Sequence, residues 1–162
     1  MKEIPLTRGL VALVDDEDYD ELSKHNWCCT TTGYAIRSFT PRKRARQKQV
    51  SMHADILGKK EGFEIDHING DKLDNRRSNI RHVTHRQNIQ NKKPNKNTSS
   101  RYKGVHLGKS GNVWLAAIEV GGKFHHVGSY NSETDAAIAY NKAALEYCGE
   151  YAWLNVIEQG GD

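Results

Sequence analysis

The chain has 162 residues, room for one ordinary domain or two minimal ones, since a single domain commonly takes roughly 100–200. Hydrophobic residues make up 36% and the mean hydropathy is -0.79, so the core is modest; no apolar run nears the roughly 18 residues that span a bilayer, and no secretory leader pattern opens the chain. A membrane role is thereby set aside, a cytoplasmic location is expected, and the net charge of +4 is uneven: residues 1–98 carry 19 Lys and Arg against 13 Asp and Glu, residues 99–162 only 5 against 7.

Residues 4–14 (IPLTRGLVALV) and 33–39 (GYAIRSF) are rich in branched and aromatic side chains and bounded by glycine or acids, the pattern of short strands. The acidic run Asp15–Glu21 between them reads as a solvated turn or short helix. Three cysteines, Cys28, Cys29 and Cys148, give neither a disulfide framework nor a CxxC zinc site and read as reduced packing residues. Residues 41–48 (PRKRARQK) hold five cations and no acid, which suits an exposed loop; Arg42, Lys43, Arg44 and Arg46 are candidates to lie along phosphates. Residues 50–58 (VSMHADILG) predict a short helix or turn.

Residues 63–93 are the most informative. FEIDHI alternates as a strand, and Asn69-Gly70 supplies residues that tolerate the positive φ of a tight hairpin turn. A polar loop (DKLDNRRS) follows, Asn79–Val83 reads as a second strand, and Thr84 with Gln87 forms a capping-box pattern for a helix over 85–93 that Pro94 ends. The low-apolar segment Asn95–Ser100 reads as linker. Beyond it, 101–107, 113–120 and 123–130 predict strands, with Gly121-Gly122 as a turn, and Ser132 caps a helix that Gly149 stops. Ala136, Ala137, Tyr140, Ala143, Ala144 and Tyr147 recur at helical spacing, a small apolar face able to lie close on a sheet. Trp114, Ala116, Ile118 and Val120 share the strand face expected beneath it.

An Asp-His pair alone carries little information. Here Asp66-His67 ends a strand, a loop and second strand follow, and the helix presents Asn88 about one turn in, so polar groups from two elements can converge. Phosphodiester hydrolysis needs an activated water, a base titrating near neutrality and a hard cation. His67 has the right chemistry for the base. Asp66 and Asn88 offer oxygen ligands suited to Mg2+, with Mn2+ second and zinc less fitting.

The stretch IDHINGDKLDNRRSNIRHVTHRQNIQN resembles the HNH endonucleases of phage and mobile introns, in the variant whose last position is Asn. The resemblance covers about residues 1–93, with VSMHADILG similar to the lead-in of such enzymes. It implies a ββα-metal nuclease module with His67 as general base, Asn79 bracing the loop, and Asn88 as terminal metal ligand with Asp66. Arg81, His82, His85 and Arg86 lie nearby and supply either a contact to the scissile phosphate or a generic basic face.

Residues 100–155, from SRYKGVHLG to EYAWLN, resemble the AP2 DNA-binding domain, which implies a three-stranded antiparallel sheet laid in the major groove with one helix behind it. Lys103 and His106 fall where that family places arginine contacts, with Lys109, Lys123 and His126 as nearby candidates and Trp114 in the core. Both replacements lack the planar arginine fork, and Glu119 repels phosphate unless it accepts from a cytosine amine, so this module is expected to position DNA weakly. Lys92, Lys93, Lys96 and Arg101, in an acid-free run over 92–109, would hold the backbone instead.

The expectation is an α+β chain with a nuclease domain over 1–93, a linker over 94–100 and an AP2-like domain over 101–157. It would act as a monomeric, homing-type, Mg2+-dependent nicking endonuclease on double-stranded DNA, with no obligatory protein partner. Two other readings stand beside it: a non-catalytic DNA-binding regulator with a relic nuclease unit, and an RNA-binding protein, against which three Phe and three Trp offer few stacking platforms.

Overall fold

The apolar residues of the first segment close on each other as an antiparallel hairpin, β1 (Lys2–Pro5) with β2 (Val11–Val14), in a computed structural model that describes residues 1–41, 46–94 and 98–157. The acidic run forms helix α1 (Asp16–Leu22), with three acids in the first turn, where the exposed backbone N–H groups favour negative charge. That helix is more than a solvated surface: Asp18 is largely covered and pairs with Arg77 at 2.7 Å. Strands β3 (Cys28–Cys29), β4 (Ala35–Phe39) and β5 (Lys48–Ser51) form a second antiparallel sheet, followed by the short helix α2 (Met52–Leu57). Val50 and Ser51 are therefore strand, not helix. Ile4, Leu6, Ala12, Val14, Leu22, Trp27, Ala35 and Met52 make the core, in which the Trp27 indole N–H is satisfied by the Leu22 carbonyl at 2.8 Å.

Strands β6 (Glu64–His67) and β7 (Ile80–Val83) pair antiparallel, setting Asp66 opposite Arg81 and His67 opposite Ile80. The connection follows the expected order of a turn at Asn69-Gly70, a polar loop and a returning strand. Gly70 alone takes a positive φ, 69°, and its N–H closes a turn on the His67 carbonyl at 2.9 Å, after which the chain runs on to residue 79 before pairing resumes.

The residues divide into two compact units, Met1–His85 and Arg86–Asp162, ahead of the expected boundary at 93–94. Helix α3 (His85–Gln90) is shorter than the expected 85–93. Its end is tied into the second unit, because the Gln90 carbonyl accepts from Lys103 Nζ at 2.6 Å and from the Trp153 N–H at 3.3 Å.

In the second unit, β8 (Val105–Leu107), β9 (Trp114–Val120) and β10 (Lys123–Tyr130) form an antiparallel sheet in the order β10-β9-β8, with a register shift between His126 and Gly128. Helix α4 (Glu133–Cys148) starts where Ser132 Oγ accepts the Asp135 N–H at 3.0 Å. Its alanine face packs with Tyr140 on Val105, Ala116 and Ile118, and Trp114 and Val120 are partly buried against the same cluster. Tyr147, expected on that face, is half exposed and stacks on His125, centroids 5.4 Å apart. The strand expected from 101 begins at Val105, since Gly104 turns at φ 73°. A Cβ there would stand 2.1 Å from the Tyr140 ring and 2.6 Å from the Ala117 carbonyl. Gly104→Ala should accordingly destabilise this unit by about 2–3 kcal/mol in urea denaturation, with crowding and a left-handed backbone adding. No helix among the described residues is long and apolar enough to cross a membrane.

Candidate active site

The site begins at the end of β6, where Asp66 and His67, on opposite faces of the strand, are both buried at 8% and 4% exposure. Burying such polar groups is tolerable only with partners. Asp66 Oδ2 lies 3.3 Å from the Arg81 guanidinium across the sheet, and His67 Nε2 lies 3.5 Å from Asn75 Oδ1, itself buried.

The loop over 68–79 holds this arrangement by side-chain bonds to its own backbone. Asn79 Oδ1 accepts the Asn69 N–H at 3.0 Å, while its Nδ2 donates to Asn69 Oδ1 at 3.0 Å and to the Asp74 carbonyl at 2.8 Å. Asp74 is gripped by both arms of Arg76 at 2.7 Å, which holds its carboxyl below the usual carboxylate range. The loop is also fastened to β2: the Leu13 N–H donates to the Leu73 carbonyl and the Leu13 carbonyl accepts the Asn75 N–H, both at 2.8 Å.

Two further rings stand beside His67. The His53 ring on α2 lies 5.1 Å from it edge to face, and the Tyr34 ring lies 5.9 Å away. Burial pushes the His67 pKa below its ordinary value, with the Asn75 bond and the charges of Asp66, Asp71 and Asp74 acting against the shift. Burial, and then proximity to His67, pushes His53 down to about 4. Both groups are thus neutral near pH 7. A histidine with a depressed folded pKa contributes stability above its unfolded pKa near 6.5 that is lost as pH falls toward the folded value. The first unit should therefore lose on the order of 3 kcal/mol through His53 between pH 6.5 and 4. Denaturation midpoints of wild type and His53→Phe across that range check this: their difference should shrink or reverse toward pH 4.

The sequence-based candidates divide as follows. Asp66, His67 and Asn79 stand in the first unit; Asn88 is half-buried on α3, within the second. Arg42, Lys43, Arg44 and Lys96 lie outside the described residues. Arg46, Lys92, Lys93, Arg101, His106, Lys109, Lys123 and His126 are exposed. Of these, Lys93 sits over the Trp153 ring and Arg101 over Tyr102. Lys103 is not a surface cation: burial lowers its pKa to about 8, and its ammonium donates to the Gln90 carbonyl. By strand register, His106, Leu115, Ala117, Glu119, Phe124 and His126 share the sheet face away from α4, whereas Lys123 pairs with Val120 on the helix side. His82 Nε2 meets the Gly58 carbonyl at 3.0 Å and His85 Nδ1 meets Glu64 at 2.7 Å, so each has a structural partner. Sequence reasoning missed Tyr34, His53 and Asn75, whose sole signal was the histidine in VSMHADILG.

Among the described residues no group of three or more His, Cys, Asp or Glu gathers as a metal cluster. The buried Asp66 carboxylate, 3.3 Å from the Arg81 guanidinium, is a hard oxygen donor of the kind a divalent cation takes. A cation held by few protein ligands completes its shell with water and phosphate, as Mg2+ commonly does.

The family model described as HNH endonuclease matches residues 58–90. A relative from Acanthamoeba polyphaga mimivirus, named as an uncharacterized HNH endonuclease, is 33% identical over 153 residues, covering 93% of this chain and 78% of the relative. The chain belongs to the HNH endonuclease family. It is a nuclease, DNA is the substrate class this family membership indicates, and HNH nucleases generally use a divalent metal ion. In this HNH endonuclease the matched stretch contains Asp66, His67, Asn79 and Asn88, while Tyr34 and His53 precede it.

Proposed function

We propose that the chain is a metal-dependent, homing-type endonuclease that nicks double-stranded DNA, with His67 as general base and one divalent ion, Mg2+ before Mn2+, held by Asp66 and Asn88. The observation that carries this reading is the buried Asp66-His67 pair at the end of β6, locked by the Asn79 bonds of the following loop. A neutral imidazole at working pH is a proton acceptor. The neutral ring, with Nε2 facing Asn75 Oδ1, takes the proton of the attacking water on its unprotonated nitrogen. When bound, the ion supplies charge stabilisation at the phosphate and departing oxygen. Asp66 and Asn88 hold it by hard oxygen donors, and Asn79 keeps the loop from relaxing.

The second unit acts as an AP2-like positioning module whose open sheet face, with His106 and His126, approaches the groove. Arg42, Lys43, Arg44, Arg46, Lys92, Lys93, Lys96, Arg101, Lys109 and Lys123 follow the phosphates, and Lys103 serves the fold. The nuclease domain covers residues 1–93, and the protein works as a monomer in the cytoplasm.

Supercoiled plasmid incubated with Mg2+, with Mn2+ and with EDTA tests this. Open circles should form with either ion and not with EDTA, and Asp66→Ala should bind duplex without cutting it. Binding with no cleavage across metals and target sequences would instead favour a DNA-binding regulator.

A further inference from the structure

A general base must be held in one orientation, and beside the contact of His67 Nε2 with Asn75 Oδ1 at 3.5 Å stands a set of packed rings. His53 and His67 lie 5.1 Å apart at 78°, Tyr34 and His67 5.9 Å apart at 49°, and Tyr34 and His53 5.5 Å apart at 75°. Each ring therefore packs against the other two, and the orientation of His67 is coupled to theirs. Edge-to-face contacts of this spacing are attractive and directional.

Both wall rings are themselves anchored. His53 Nε2 is bonded to Ser51 Oγ at 2.8 Å, one residue from the fully buried Met52. Tyr34 stands in a turn closed by the Thr30 N–H on the Tyr34 carbonyl at 2.9 Å and the Tyr34 N–H on Thr30 Oγ1 at 3.0 Å. Lys72, from the same loop that Asn79 locks, lies 4.4 Å over the Tyr34 ring and donates to the Thr32 carbonyl at 2.9 Å. The loop beside the base and the turn carrying Tyr34 thus hold each other.

We infer that Tyr34 and His53 are positioning residues for this nuclease: a wall of two anchored rings that fixes the His67 imidazole in one orientation and tautomer, and that lies outside the stretch matched by the family model. The wall acts by shape. His53, with its ring nitrogen taken up by Ser51 and its pKa near 4, carries no charge near pH 7 with which to grip phosphate. The inference rests on the reading of His67 as the base.

Single-turnover nicking of supercoiled plasmid over a protein concentration series gives the maximal rate and the half-saturating concentration separately. 15N NMR of the histidine rings reports the His67 tautomer without requiring activity. His53→Ala should lower the maximal rate about tenfold to a hundredfold at unchanged half-saturation and broaden or mix the His67 tautomer signals. His53→Phe, which keeps a ring, should retain the rate to within about threefold and the wild-type His67 pattern. Tyr34→Leu is the independent second case if His53→Ala does not fold, and should behave as the alanine variant does. Wild-type rates and an unchanged His67 spectrum in His53→Ala or Tyr34→Leu overturn the inference, as does a His53→Phe protein as slow as His53→Ala, because the nitrogen and not the ring would then matter. Failure of the underlying reading shows separately, as cleavage that survives His67→Ala.

Discussion

His67→Ala should cut plasmid roughly a thousandfold more slowly than the wild type while binding duplex within about twofold, since a positioned general base commonly contributes 10²–10⁴ in rate. The imidazole is placed for chemistry more than for folding. Its Asn75 bond is long, and its depressed pKa means that its charged form opposes the folded state. Removing it leaves Asp66 and the Asn79-locked loop in place. Initial rates of open-circle formation with Mg2+, beside gel-shift titrations in EDTA, measure the two effects. Equal cleavage by equal doses of both proteins would remove His67 from the mechanism; loss of binding would make its role structural.

The second large effect is expected at Asn79. Its side chain satisfies the Asn69 N–H, the Asn69 side-chain oxygen and the Asp74 carbonyl from a position 6% exposed to solvent. Alanine supplies neither donor nor acceptor, and each buried group left unpaired costs about 1–3 kcal/mol. Allowing for water reaching part of the loop, Asn79→Ala should destabilise the first unit by about 4 kcal/mol and abolish nicking. Asn79→Asp should not rescue it, because a carboxylate would then face the Asp74 carbonyl and the Asn69 oxygen that now accept hydrogen bonds. Urea denaturation followed by signals of the first unit, together with plasmid nicking, checks both consequences. A variant with wild-type stability and activity would show that the loop holds its shape through its backbone and Arg76 contacts alone.

What could be read from the residues was what repeats or what has distinctive chemistry. The alternation of FEIDHI gave β6, and the alanine spacing after Ser132 gave α4, because each period survives any tertiary setting that buries one face. The order of β6, β7 and α3 around an Asp-His pair pointed to the family. Contacts between distant segments were not legible. The turn at Asn69-Gly70 and the polar loop after it were readable, but the side-chain bonds from Asn69, Asp71 and Asp74 and the anchorage on Leu13 were not. Lys103 sits at a motif position that suggests DNA, but the Gln90 carbonyl claims its ammonium. Tyr147 follows Tyr140 by two helical turns and still leaves the core for His125. Tyr34 and His53 meet His67 only through folding of three separate elements.

Leu13 hydrogen-bonds to the loop through its N–H and its carbonyl. Any residue other than proline offers the same two groups, so the side chain at this position is open to drift within the limits of strand packing. The spacing of the hairpin is not. Inserting or deleting one residue in β2 would turn the strand over and present the wrong backbone pair to Leu73 and Asn75. Descent in this nuclease should therefore preserve the length of the N-terminal hairpin more strictly than its spelling, and the thirty-three residues of the family match would not cut if grafted elsewhere without it.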